Sequence, residues 1–246
     1  MLRRAAQLRD GIRAHAYPGA RSHSMVSAMI RLVIGNKQLS SWSLRPWILL
    51  KHLGLPFEEI RLPLDTPRFR EEIGRYSPTG RVPALLDGAV RVWESIAICE
   101  YLNEATQGIA WPADPAARST ARAISAEMHA GFQALRTAWT LKAASTGLRV
   151  PLDAAARADL LRIESIWSEC RRQYEARGPW LFGSYSIADA MYAPIVLRFN
   201  TYGAQLSGAA RGYFEFALRD PWLLEWIRGA EQELAEEGRP RQGTSG

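Results

Sequence analysis

Every segment with strand character lies before position 94, and everything beyond keeps helical spacing, a segregation that leaves few architectures open to a 246-residue chain. Residues 30–34 are a short β-branched apolar run closed by Gly35 and Asn36. A helix is predicted next, capped by Ser43, with Trp47, Leu50 and Leu53 on its apolar side until Gly54 and Pro56 stop it. A second strand fits 57–62, and Pro67, at a first helical position, opens a helix reaching about Tyr76. Ser77, Pro78, Thr79 and Gly80 are turn chemistry; the runs 84–86 and 90–93 then pair as a hairpin about Asp87 and Gly88. Residues 95–104 close this region as a helix with Ile96, Ile98, Cys99 and Leu102 mainly inward.

The order β-α-β-α-β-β-α, a parallel unit followed by an antiparallel hairpin and a last helix, is that of a thioredoxin-like domain. We assign it to residues 29–108, with a proline-containing linker at 109–115. From 116 to 238 a helical bundle is expected. Met128, Phe132, Leu135 and Trp139 recur at helical spacing, as do Leu160, Ile163, Trp167, Cys170 and Tyr174, and again Leu223, Ile227, Ala230 and Leu234. The fold class is therefore α/β plus all-α, with a tail at 239–246 rich in Arg, Pro, Gly and Ser.

The net charge of +6 suggests a polyanion binder until it is located. Residues 1–28 hold Arg3, Arg4, Arg9, Arg13 and Arg21 against Asp10, which leaves the rest close to neutral and gives no basis for a nucleic-acid partner. With Met25 and Met29 just before the first strand, that leader reads as an upstream start or a disordered extension. The longest nearly uncharged stretch, 178–197, contains Pro179, Asp189 and Pro194, so no membrane span is expected. Cys99 and Cys170 form no ligand pattern with the four scattered histidines; no metal site is expected, and a reducing cytoplasmic compartment fits.

Chemistry concentrates where the first strand meets the first helix, at Ser40, Ser41, Trp42, Ser43, Leu44, Arg45 and Pro46. A redox thioredoxin fold places cysteines there; hydroxyls exclude dithiol exchange and offer a hydrogen-bond donor at a helix N-terminus, which favours an anion and pushes a bound thiol towards its thiolate. Val82–Pro83 precedes the third strand, and in the cis form it turns the Val82 main chain outward to pair with an extended peptide. Glu94 and Ser95 open the third helix, where N–H groups hold a carboxylate. Taken singly, each is also an ordinary cap or turn. The fold gathers all three on one side of the sheet, which suits a small thiol peptide.

These residues resemble the glutathione S-transferase superfamily, and SSWSLRPW is similar to the SSCSxR signature of its zeta class, which includes maleylacetoacetate isomerase. The similarity spans 29 to about 235, its helical half resting on Ser186, Ile187, Ala188 and Asp189, which look like the family's capping box. The resemblance implies a cytoplasmic homodimer in which Ser40 stabilises the glutathione thiolate, with Ser41 and Arg45 in support. It further implies that Arg68 meets the glycyl carboxylate, Val82 and Pro83 the cysteinyl backbone, and Glu94 and Ser95 the γ-glutamyl end, with Gln133 contributing from the helical half. For the electrophile it points to Trp42, Met128, Phe132 and Arg136. Trp42 stands where the zeta class has cysteine, a departure that bears on isomerase activity more than on glutathione binding. Three outcomes stay open: transfer to an electrophile, glutathione-dependent cis–trans isomerisation, and a non-catalytic interaction protein that has kept the fold.

Overall fold

A computed structural model describes residues 29–238; the leader and the tail lie outside them. Four strands, β1 (Ile30–Ile34), β2 (Phe57–Arg61), β3 (Ala84–Asp87) and β4 (Val90–Trp93), form one sheet in the order β2-β1-β3-β4. The first two strands run parallel, Ile30 opposite Phe57, while β3 is antiparallel to both β1 and β4. The intervening helices are α1 (Ser41–Leu53), α2 (Pro67–Glu72) and α3 (Ser95–Ala105). This is the thioredoxin-like arrangement the spacing predicts.

Three local details differ from expectation. The cap of α1 is Ser40, whose side chain accepts from Ser43 N–H, so Ser43 is buried within the first turn instead of standing before it. The helix predicted to continue to Tyr76 tightens into a 3-10 turn after Glu72. In the hairpin Asp87 pairs with Val90, which leaves Gly88 and Ala89 as the turn, with Gly88 at φ 59° where a side chain would be strained.

The second half is helical: α4 (Pro115–Ala130), α5 (Gln133–Ala138), α6 (Ala154–Tyr174), α7 (Ile187–Tyr202), α8 (Gly208–Ala217) and α9 (Pro221–Glu236). The stripe from Met128 to Trp139 is not one helix, because Gly131 and Phe132 break it, Phe132 lying at φ 58°. A Cβ on Gly131 would stand 2.8 Å from the Glu127 carbonyl oxygen, which is why that break takes a glycine. Helix α7 is buried on nearly every face, so it passes through the bundle centre and packs against α1 and α4. Its start is fixed as expected: the Asp189 carboxylate accepts from Ser186 N–H, 2.9 Å, and also from Leu181 N–H and Tyr213 Oη–H.

The two halves share one core and are clamped at the loop after β1. Trp226 Nε1–H of α9 donates to the Lys37 carbonyl at 2.8 Å, and Gln38 N–H donates to the buried Glu233 at 3.3 Å. The Gln38 side-chain oxygen accepts from Ala144 N–H at 2.8 Å, and Trp47 stacks edge-on against Trp226. Asp220 similarly meets His52 at 2.8 Å. The loop leading to Ser40 is thus held from three directions.

Candidate active site

The N-terminus of α1 is built around two hydroxyls. Ser40 Oγ lies 2.7 Å from Ser43 Oγ and accepts weakly from Ser43 N–H at 3.4 Å, while Ser43 Oγ accepts from Gly35 N–H at 3.2 Å. Both serines are buried. Either hydroxyl can donate in this pair; in the arrangement with Ser43 Oγ–H donating to Ser40 Oγ, the Ser40 hydrogen is left for a ligand. The backbone N–H groups of the first turn add positive potential at the same place.

A cavity of about 110 Å³ opens beside this turn, lined by Trp42, Thr79, Arg81, Val82, Pro83, Glu94 and Ser95. The Val82–Pro83 peptide is cis. Glu94 precedes α3 at φ 68°, a conformation that a non-glycine residue adopts at a cost, and its side chain makes no capping bond. Ser95 is buried, and among the described residues its Oγ has no hydrogen-bond partner. Trp42 from the first turn of α1, the cis-proline segment and the unpaired Ser95 hydroxyl at the start of α3 therefore converge on one small cavity from three elements separated in sequence, with Ser40 next to it along the chain but outside its lining. Comparison with known proteins gives this convergence its context: residues 39–105 match the family model for the glutathione S-transferase N-terminal domain.

Over this segment the chain is similar to the N-terminal domain of glutathione S-transferases. Rat maleylacetoacetate isomerase is 29% identical over 171 residues, 68% of this chain and 76% of that protein. A dichloromethane dehalogenase from Methylorubrum extorquens is 43% identical over 58 residues, 23% of this chain; the alignment spans 20% of that dehalogenase. A glutathione transferase homologue from Burkholderia, solved with bound glutathione, superposes with a TM-score of 0.61 at 24% identity, covering 83% of this chain and 98% of the other. That likeness establishes the fold.

Within this glutathione S-transferase fold the remaining predicted residues fall into separate environments. Arg68 is on α2, 61% exposed by side chain and paired to Glu72 at 2.8 Å, and it does not line the cavity. Gln133 opens α5 with its side chain turned to Thr137 and Arg136. Met128 and Phe132 are buried in the main core, where they hold α4 and α5 in place instead of forming a substrate wall. Ser41 is buried in the first turn of α1.

Trp42 and Arg136 meet in a cationic cluster. The Arg45 guanidinium lies 4.1 Å from the Trp42 ring centre and that of Arg136 5.2 Å, while His129 packs edge-on to the same indole at 5.2 Å. His129 Nε2 is 3.7 Å from the Glu94 carboxylate. Its burial and the nearby Arg45 hold the imidazole below its ordinary range. Burial, with Arg198 and Arg136 as like-charged neighbours, pushes Arg45 down to about 9.

Sequence reasoning passed over Ser43 as a support, Thr79 and Arg81 as cavity walls, and Arg198 as a neighbour of Arg45. Only Arg198 carried a signal, being the sole charged residue in the buried stretch 190–202. A larger cavity of about 370 Å³ lies on the other side of the loop, where Leu39, Pro63, Leu64, Leu234 and the carboxylates Glu233 and Glu237 form its wall. Ser40 lines neither opening, although Leu39 lines one and Trp42 the other. Cys99 is no rival nucleophile, since burial pushes its thiol up to about 12.

Proposed function

We propose that this protein is a serine-type glutathione transferase. The observation that carries the reading is the contact between the Ser40 and Ser43 hydroxyls at the start of α1: when Ser43 donates, Ser40 is able to donate towards a sulfur atom. Glutathione lies with its γ-glutamyl end at Glu94 and Ser95 and its cysteinyl backbone along Val82. Its thiol releases a proton to solvent; Ser40 Oγ–H and the first N–H groups of α1 stabilise the resulting thiolate. The sulfur then forms a bond to an electrophilic carbon, and the leaving group departs with the electron pair of the bond it loses.

Ser41, deeper in the turn, supports the position of Ser40, and Arg45 adds positive potential. The dehalogenase and isomerase names among the relatives both suit a reaction that begins with such a thiolate, and measuring free thiol through turnover separates transfer, which consumes it, from isomerisation, which does not. A homodimer is part of this reading: the edge strand β4 leaves its main chain unpaired on one side and Val90 and Trp93 exposed, an edge that a second copy can cover. A cytoplasmic setting accords with two buried, free cysteines.

Replacing Ser40 with Ala tests the assignment. Turnover with a glutathione-consuming electrophile should fall by roughly a hundredfold or more, the scale of a lost oxyanion-type donor. Glutathione affinity, measured by calorimetry, should change only a few-fold. Unchanged turnover would sink the role given to Ser40, and absence of glutathione binding to the wild type would sink the reading as a whole.

A further inference from the structure

Arg45 is 1% exposed, and its Nε and Nη1 have no hydrogen-bond partner. Burying an ion is costly, and proteins offset the cost with a carboxylate or a full set of acceptors. Here the charged neighbours of Arg45 are Arg198 and Arg136, and the other groups acting on it, Cys99 and Tyr192, are held protonated by burial. The same deficit recurs around it. Arg136 Nε and Arg198 Nη1 also lack partners, although Arg198 Nε donates to the Trp139 carbonyl at 2.7 Å and Arg136 donates to Gln133 Oε1 at 2.8 Å. Among the described residues none of the three guanidinium groups takes part in an ion pair; the carboxylates nearby are Asp159, which faces Arg136, and Glu94, already engaged with His129.

Positive charge with unused donors is the mark of a site whose anion comes from elsewhere. We propose that Arg136, supported by the charge of Arg45 and held with it against the Trp42 ring, binds the carboxylate of a small molecule beside the cavity. Trp42 and Glu94 belong to both the cavity and the cluster, so the two are continuous. A planar guanidinium matches a carboxylate in shape and donates to it in pairs, which favours that group over a single-point cation contact. Arg136 is half-buried and is the member of the pair that a ligand reaches, whereas Arg45 is buried and adds positive charge against the same Trp42 ring. The carboxylate can belong to glutathione or to its reaction partner. Only the first of these sources rests on the function proposed above.

The test uses calorimetry on the full-length protein with succinate and its uncharged counterpart succinamide, each with and without saturating glutathione. Arg136 is the residue to vary, because its partial exposure spares the fold. Succinate should bind at least about tenfold more tightly than succinamide, and Arg136→Gln should weaken it by about tenfold or more, with Arg136→Lys recovering part of the loss. Binding that survives saturating glutathione assigns the site to the reaction partner; displacement assigns it to a carboxylate of glutathione. The proposal is overturned if succinate binds no better than succinamide, or if Arg136→Gln changes its affinity by less than about twofold. Should glutathione fail to bind while succinate responds to Arg136→Gln, the transferase reading falls and the carboxylate site stands.

Discussion

Helix α7 and helix α1 begin in opposite ways. At α7 the buried Asp189 carboxylate takes hydrogen bonds from Leu181, Ser186 and Tyr213, so the helix start is saturated from within the chain. At α1 the cap is a hydroxyl that shares one hydrogen bond with Ser43 Oγ and accepts from Ser43 N–H only at 3.4 Å, and a few residues on, Arg45 is buried with donors unused. Ser95, at the start of α3, is of the second kind. Polar groups satisfied by their own chain build the scaffold, and those left unsatisfied mark where a ligand completes the structure.

The contrast predicts where damage appears. Removing the Asp189 carboxylate should have the largest effect on stability: Asp189→Ala leaves Leu181 N–H, Ser186 N–H and Tyr213 Oη–H unpaired and should cost about 3–5 kcal/mol, read from denaturant unfolding. Ser40→Ala should instead cost about 1 kcal/mol or less of stability while removing most turnover, so the two variants exchange phenotypes. If Ser40→Ala unfolds the protein and Asp189→Ala spares it, the division is wrong.

Next in size is a pH effect. Burial raises the Asp189 carboxyl from 3.8 to about 6, so between those values the folded state binds more protons than the unfolded state. Its contribution is fully present below pH 4 and declines as pH rises through about 6, by about 1–3 kcal/mol. Unfolding curves collected from pH 4 to 7 should show this downward component in the wild type and not in Asp189→Asn. Smallest is Ser95→Ala, which should weaken glutathione binding by about tenfold at most, without loss of thermal stability, because no partner within the chain is deprived.

The element order was readable because each boundary carries a strong punctuator, such as Gly54 with Pro56 or Pro67 at the start of α2. Positions within elements were less so. Ser40, Ser41 and Ser43 are all competent caps, and the choice between Ser40 and Ser43 is made by Gly35 N–H, a partner from the preceding loop. The apolar stripe from Met128 to Trp139 keeps helical spacing through a break that only the crowding at Gly131 reveals. Among the candidate site residues, Val82 and Ser95 came together through topology, whereas Arg68 found a closer partner in Glu72, and local ion pairing of that kind leaves no distinctive trace in sequence.

The clamp between α9 and the loop after β1 has a temporal side. A ribosome makes the strands and serines of the first domain early and Trp226 and Glu233 late, yet these two hold Lys37 and Gln38, the residues that deliver Ser40 to its place. A nascent chain therefore carries Ser40 long before the loop that leads to it is fixed, and that loop is completed only when the last helix docks.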